Sequence, residues 1–425
     1  MRAYETELTF GGEKGHAVVV EFEKPWRLVS WSKYQYIVNW DLGEGVWFTP
    51  EWLETHSPDD GFCYEPLMDK ELRYSRVRIL EAGPVRAKIH WHYALCNPRY
   101  EIFNGNSTAD EYYTVYPDGI AVRKLVGWPG NESEFGGNSH FWEVMEFILK
   151  TGGIPIEDVI NKKECFSFQS EKGEKLSFPW PIPKPFAWGQ EPLCNSYPQV
   201  KDWKFYIGRI YLKDRPDPFC MFVKDKRIFP YKPCSSTSYG SCNGDHPPLT
   251  LWDIGRRSTW ERGTSASFLS CQAIRHPGEK PPRPCVWLFL TGATEQDDAY
   301  LIDLGQSWYN PAYIIGPPPV TAGYGDEPVY YEGYSFSERA YQFRKMKGEK
   351  VSFLMMPSMD VINPVIRVSG WKTPSVSVSF DSYPLDTKDF QAQLKGDELL
   401  LWINKRVSKN TKVEIVEKGG KGCFE

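Results

Sequence analysis

The chain lacks any apolar run long enough to span a bilayer, so a membrane-spanning helix is not expected among its 425 residues. The stretch Met1 to His16 carries acids early and no apolar core, so it does not read as a signal peptide. A cytoplasmic protein, or a secreted one whose leader has been removed, is the expectation. Charge of one sign is also missing. A net charge of -5 gives no global attraction to nucleic acid or to an anionic membrane surface. The 10 cysteines show no CxxC pair and no tight Cys/His cluster, so no zinc site is expected. Cys220, Cys234 and Cys242 lie close enough in sequence for a disulfide, but mostly free, buried thiols suit a chain of this length. No GxSxG, HExxH, P-loop or dinucleotide fingerprint occurs in a suitable context. No dedicated Ca²⁺ loop occurs either. No cofactor is therefore expected, and Ca²⁺ only as a structural ion on acidic loops. The 34 prolines, spread through the chain, argue against long helices. No solenoid or propeller repeat is visible.

What the chain does have is aromatic residues: 17 Trp, 24 Tyr and 24 Phe. Many sit beside turn residues and charges. Trp26, Trp31, Trp40, Trp47 and Trp52 are separated by polar stretches. Flat apolar faces with a polar handle suit a sugar cleft, because pyranose rings stack their C–H faces on indole and phenol. Large sheets also bury many aromatics, so each Trp has two readings.

The local pattern is strand after strand. Residues 16–22, 73–80, 85–93, 112–126, 205–212, 285–291, 350–355 and 399–404 are short, rich in β-branched or aromatic residues, and bounded by Gly, Pro, Asn or Asp. One helix is expected over 297–305, after an acidic cap, and a single turn near 157–161. A boundary is expected near 357, dividing a large domain (1–357) from a small module (358–425). Five short strands after it suit an immunoglobulin-like β-sandwich.

Four segments, WDLGEGVWFTPEWLET (40–55), CYEPLMDKELR (63–73), ADEYYTVYPDGIAVRK (109–124) and NGDHPPLTLWDIGRRSTWER (243–262), together with the final module, resemble a family of large all-β proteins found beside carbohydrate-degradation functions. At fold level that family is similar to the galactose-mutarotase-like β-supersandwich of several polysaccharide lyases and glycoside hydrolases. The resemblance implies an all-β, antiparallel supersandwich and a poly- or oligosaccharide partner, but no particular reaction.

Candidate chemistry rests on constellations. His140 sits with Asn138 in a Gly-rich loop running into Phe141-Trp142. His246 lies on a turn-rich loop shortly before Arg256 and Arg257, a set that could grip a carboxylate and remove a neighbouring proton. Tyr113 and Arg123 could share one side of a curved sheet, and Tyr116 to Gly119 could be a hairpin tip with Asp118 as a turn residue. His90 and His92 share one face of a strand. They could bind metal or act as a base, but the pattern fits hydrogen-bonded sheet histidines better. Glu143 and Glu146 sit in an apolar run, where a raised pKa would suit a general acid.

Two reactions compete. A lyase neutralises a uronate carboxylate, takes the C5 proton and protonates the leaving oxygen. A glycoside hydrolase needs two carboxylates at fixed separation, Glu143 or Glu146 among them. The His, Tyr and Arg content favours β-elimination, with His140 or His246 as base, Tyr113 as acid and Arg256 or Arg257 as carboxylate partner. Trp31, Trp40, Trp47, Trp128 and Trp142, with Arg123 and Asn138, are the expected substrate contacts. The third reading is a glycan-binding protein without turnover.

Overall fold

The structure, a computed structural model, describes residues 1–10, 13–50, 52–57, 59–132, 134–135, 140–142, 147–150, 156–182, 192–223, 228–230, 236–239, 264–267, 271–273, 283–316 and 329–418. Two large antiparallel sheets dominate it. An eight-stranded sheet runs from Arg2–Phe10 at one edge to Ser236–Tyr239 at the other. A nine-stranded sheet runs from Lys175–Phe178 to Arg76–Ala82. Their inner faces share one core. Trp31, Trp40 and Trp47 come from the first sheet, and Trp91, Tyr113, Leu125 and Trp287 from the second. The all-β expectation holds, and alternation explains it. In Ala87–Ala94, Ile89, Trp91 and Tyr93 go to the core, while the residues between them face away.

Two neighbouring strands of the nine-stranded sheet, Thr108–Val115 and Ile120–Trp128, meet at the tip Tyr116 to Gly119. Val115 pairs with Ala121, and the Gly119 N–H donates to the Tyr116 carbonyl at 3.0 Å. Gly119 adopts φ +76°, which favours glycine.

One helix, Asp298–Tyr309, packs on the outer face of the nine-stranded sheet through Leu301, Leu304 and Trp308. Its cap is Asp297, whose side chain accepts from the Tyr300 N–H at 2.9 Å. The helix runs past Gly305, where it was expected to stop. A Cβ at Gly305 would lie 2.9 Å from the Phe205 ring, so glycine there permits close helix–sheet contact. No helix among the described residues is long and apolar enough to cross a membrane. Cys220 is buried, as are Cys63, Cys96, Cys165, Cys271 and Cys285. Cys234 and Cys242 lie outside the described residues.

The C-terminal sandwich is larger than five strands and begins earlier than 358. Its two five-stranded sheets include Tyr313–Ile315, Val329–Ser335, Ala340–Lys345 and Lys350–Met356 as well as the strands after 364. Ala340–Lys345 pairs in parallel with Val365–Ser369. A parallel pair needs a crossover. The turn-rich stretch near 357 belongs to that crossover and so lies inside the sandwich.

Charged side chains join the two parts. Arg86 holds Glu81 with two bonds of 3.0 Å and reaches Glu398 at 3.1 Å. Arg339 donates to Asp118 at 2.6 Å, and Lys88 to Glu338 at 2.5 Å.

Candidate functional site

The outer face of the nine-stranded sheet carries an unusual polar set. Alternation sends His90 and His92 outward from Ala87–Ala94, Asp110 and Tyr112 from Thr108–Val115, and Lys124 and Trp128 from Ile120–Trp128. Register then brings them together. His92 lies opposite Asp110, His90 opposite Tyr112, and Arg76 and Arg78 opposite His92 and His90.

Asp110 is the hub. Its Oδ1 lies 2.6 Å from His90 Nε2 and 2.9 Å from His92 Nδ1, and its Oδ2 accepts from Trp128 Nε1 at 2.7 Å. Burial opposes ionisation of Asp110, but the hydrogen bonds from His90, His92 and Trp128 outweigh it. They hold its carboxyl well below the usual carboxylate range.

The hydrogen bonds assign the tautomer of His90. Arg78 Nη2 lies 3.0 Å from His90 Nδ1. A guanidinium only donates, so Nδ1 accepts, and His90 must donate through Nε2 to Asp110. His90 is therefore neutral and has both nitrogens occupied; its ring also stacks on Tyr112 at 4.7 Å. His92 donates through Nδ1 to the ionised Asp110. Its Nε2 has no hydrogen-bond partner among the described residues, and its side chain is 31% exposed. A carboxylate behind an imidazole, with the far nitrogen open, is the arrangement of a general base.

A cleft of about 600 Å³ fronts this group, lined by Tyr36, Arg76, Arg78, His90, His92 and Asp110 among others. Tyr36 enters it from the eight-stranded sheet's side. Its φ of +61° is a costly conformation for an aromatic residue. The Tyr36 N–H donates to the Trp31 carbonyl at 2.9 Å, and the Ser30 hydroxyl donates to the Tyr36 carbonyl. The Tyr36 hydroxyl lies 3.2 Å from His16 Nδ1, and His16 Nε2 lies 3.3 Å from Glu5. Burial, then the Glu5 charge, raise the Tyr36 phenol, which keeps its proton at neutral pH.

The residues picked from sequence fall in several places. Tyr113 and Arg123 do pair across one side of the sheet, but that side is the core. Arg123 gives two bonds of 2.7 Å to Glu111 and one of 2.6 Å to the Pro50 carbonyl. Tyr113 donates to the same Glu111 at 2.8 Å. Neither side chain reaches a cleft. Trp31, Trp40 and Trp47 are 0% exposed, so no ring face is open to a sugar. Trp47 stacks on Phe10 at 3.9 Å, and Trp40 donates to the Gly119 carbonyl at 3.3 Å. Trp128 is different: 42% exposed and tied to Asp110.

His140 and Trp142 lie in the strand His140–Trp142, opposite Thr55 and Leu53 in a separate five-stranded sheet. Asn138, Glu143, Glu146, His246, Arg256 and Arg257 lie outside the described residues. Glu54, Cys63 and Glu65 are buried with ligand-type atoms within 4.8 Å of one another. Trp52 Nε1 donates to both carboxylates, at 3.2 and 2.8 Å.

No protein-family model matches this chain, and no curated protein matches it. Solved structures show a coarse similarity. A putative mutarotase (YeaD) from Salmonella typhimurium is 7% identical, over 69% of this chain and 94% of that one, at a TM-score of 0.31. Galactose 1-epimerase from Lactobacillus acidophilus NCFM is 8% identical, over 69% of this chain and 98% of that one, at a TM-score of 0.24. No residue role or activity passes from either to this chain.

Proposed function

We propose that the cleft in front of Asp110 binds an acidic carbohydrate and cleaves it by β-elimination at a uronate. The supporting observation is the His92 imidazole, with Nδ1 on Asp110 and Nε2 open, beside Arg76 and Arg78. The two guanidiniums neutralise the uronate carboxylate, which acidifies the C5 proton. His92 Nε2 takes that proton. The electron pair becomes the C4=C5 bond, the C4–O bond breaks, and Tyr36 protonates the leaving oxygen. Asp110 stabilises the imidazolium that forms. His92 then returns its proton to solvent, and Tyr36 regains one, with His16 beside it as the relay. Trp128 supplies an aromatic face at the rim. The hydrolase reading has less support in this cleft. Asp110 is the one carboxylate among its described lining residues, and three hydrogen bonds occupy it.

The test uses alginate, pectate and glucuronan with the full chain and with His92→Gln. The expected outcome is an unsaturated product seen by ultraviolet absorbance, with kcat lower by about 10²–10⁴ in His92→Gln. Saturated reducing ends alone would sink the elimination. Binding without turnover would leave a glycan-binding protein.

A further inference from the structure

A second cavity, of about 380 Å³, lies where the large domain meets the C-terminal sandwich. It falls in the size range of small-molecule sites, about 300–1,000 Å³. Both parts contribute walls: Trp26, Asp118 and Gln296 from one, Asn363, Gln391 and Asn404 from the other.

Its chemistry differs from that of the Asp110 cleft. The side chains of Gln296, Gln391 and Asn404 make no hydrogen bond to a described residue, and each carboxamide offers a donor beside an acceptor. Adjacent hydroxyls of a sugar take up such pairs. Two indoles line the same cavity, Trp26 at 3% and Trp402 at 6% exposure. Neither Nε1 has an acceptor among the described residues. Both nitrogens are sealed from solvent, so what the indoles offer the cavity is apolar ring surface and not a donor.

Charge is balanced at the wall. Lys24 and Lys388 stand against Glu23 and Glu295. Asp118 is taken by Arg339 at 2.6 Å and by the Asn363 amide at 3.2 Å. An anion finds no open guanidinium here, unlike in the other cleft.

We infer that this cavity is a second, non-catalytic binding site for a neutral saccharide, bridging the large domain and the C-terminal sandwich. It is independent of the elimination chemistry. A ligand held by both parts stabilises their junction, so binding also raises the unfolding temperature.

The experiment titrates the full chain with lactose, cellobiose, maltose and xylobiose by calorimetry, with thermal unfolding in parallel. The comparison proteins are Gln391→Ala/Asn404→Ala, Gln391→Trp, which fills the cavity, and His92→Ala. Gln391 is only partly buried and Asn404 is exposed, so the first two variants keep the core. The expected result is saturable binding of at least one disaccharide. Affinity falls at least about tenfold in Gln391→Ala/Asn404→Ala, two lost hydrogen-bond partners. It is lost in Gln391→Trp and unchanged in His92→Ala. Failure of all four disaccharides to bind the wild-type chain overturns the inference, and so does binding that both cavity variants retain.

Discussion

Asp110 and Glu111 are neighbours in one strand, and each carboxylate collects hydrogen bonds from three side chains. Glu111 takes them from Tyr93, Tyr113 and Arg123 in the core. Asp110 takes them from His90, His92 and Trp128 on the outer face. The difference lies in what is left over. In the core set Tyr93 also accepts from the Leu53 N–H, and Arg123 also reaches the Pro50 carbonyl. That set locks strands together. In the outer set His92 keeps an open nitrogen, and the Trp128 ring keeps an exposed face. Similar polar groups, one residue apart, give a structural bolt on one side of a sheet and an open polar surface on the other.

The largest effect should come from breaking the bolt. Arg123→Ala leaves Glu111 as an uncompensated buried charge and should cost about 3–5 kcal/mol. Urea unfolding measures it, and a loss below about 1 kcal/mol would erase the contrast, since surface pairs are worth that much. His92→Gln should do the reverse, keeping stability within about 1 kcal/mol of wild type while elimination is lost, because it sits on a half-open face.

Asp110→Asn comes next and carries a pH signature. The folded-state pKa of Asp110 is depressed, so its stabilisation is present above the unfolded carboxylate value and fades as pH falls through the folded value. Wild type should therefore exceed Asp110→Asn by about 1.5–3 kcal/mol at neutral pH, the worth of hydrogen bonds to a charged group. The gap should shrink below about pH 4, where an unfolded Asp takes up its proton. A gap that is constant from neutral pH to strong acid would contradict the ionised hub. The smallest effect is Trp128→Phe, which removes one donor to Asp110 and should cost about 0.5–1.5 kcal/mol in the same unfolding assay.

Much of the fold is legible in the sequence because alternation and turn residues are local signals. The strands near 87, 205, 285 and 399 and the helix after Asp297 follow from them. The site is less legible, for a physical reason. In Thr108–Val115 both faces carry an acid and a tyrosine, Asp110 with Tyr112 and Glu111 with Tyr113. Period-2 reasoning separates the two sets but does not say which one meets the core. The neighbouring strand holds the missing signal: Ile89, Trp91 and Tyr93 alternate with His90 and His92, so its polar face is plain. Aligning that strand with the next points to Asp110 instead of Glu111. Tyr36 was out of reach, since only the meeting of two sheets brings it to the cleft. The sandwich boundary was also hidden, because a parallel pairing across residues 340–369 leaves no local trace.

The most direct measurement is nitrogen NMR of the histidine rings at neutral pH, with and without a uronate oligosaccharide. The expected result is His90 protonated at Nε2, His92 protonated at Nδ1, and a shift of the His92 Nε2 resonance when the oligosaccharide is added. A His92 ring protonated at Nε2, or one that ignores the oligosaccharide, would contradict it.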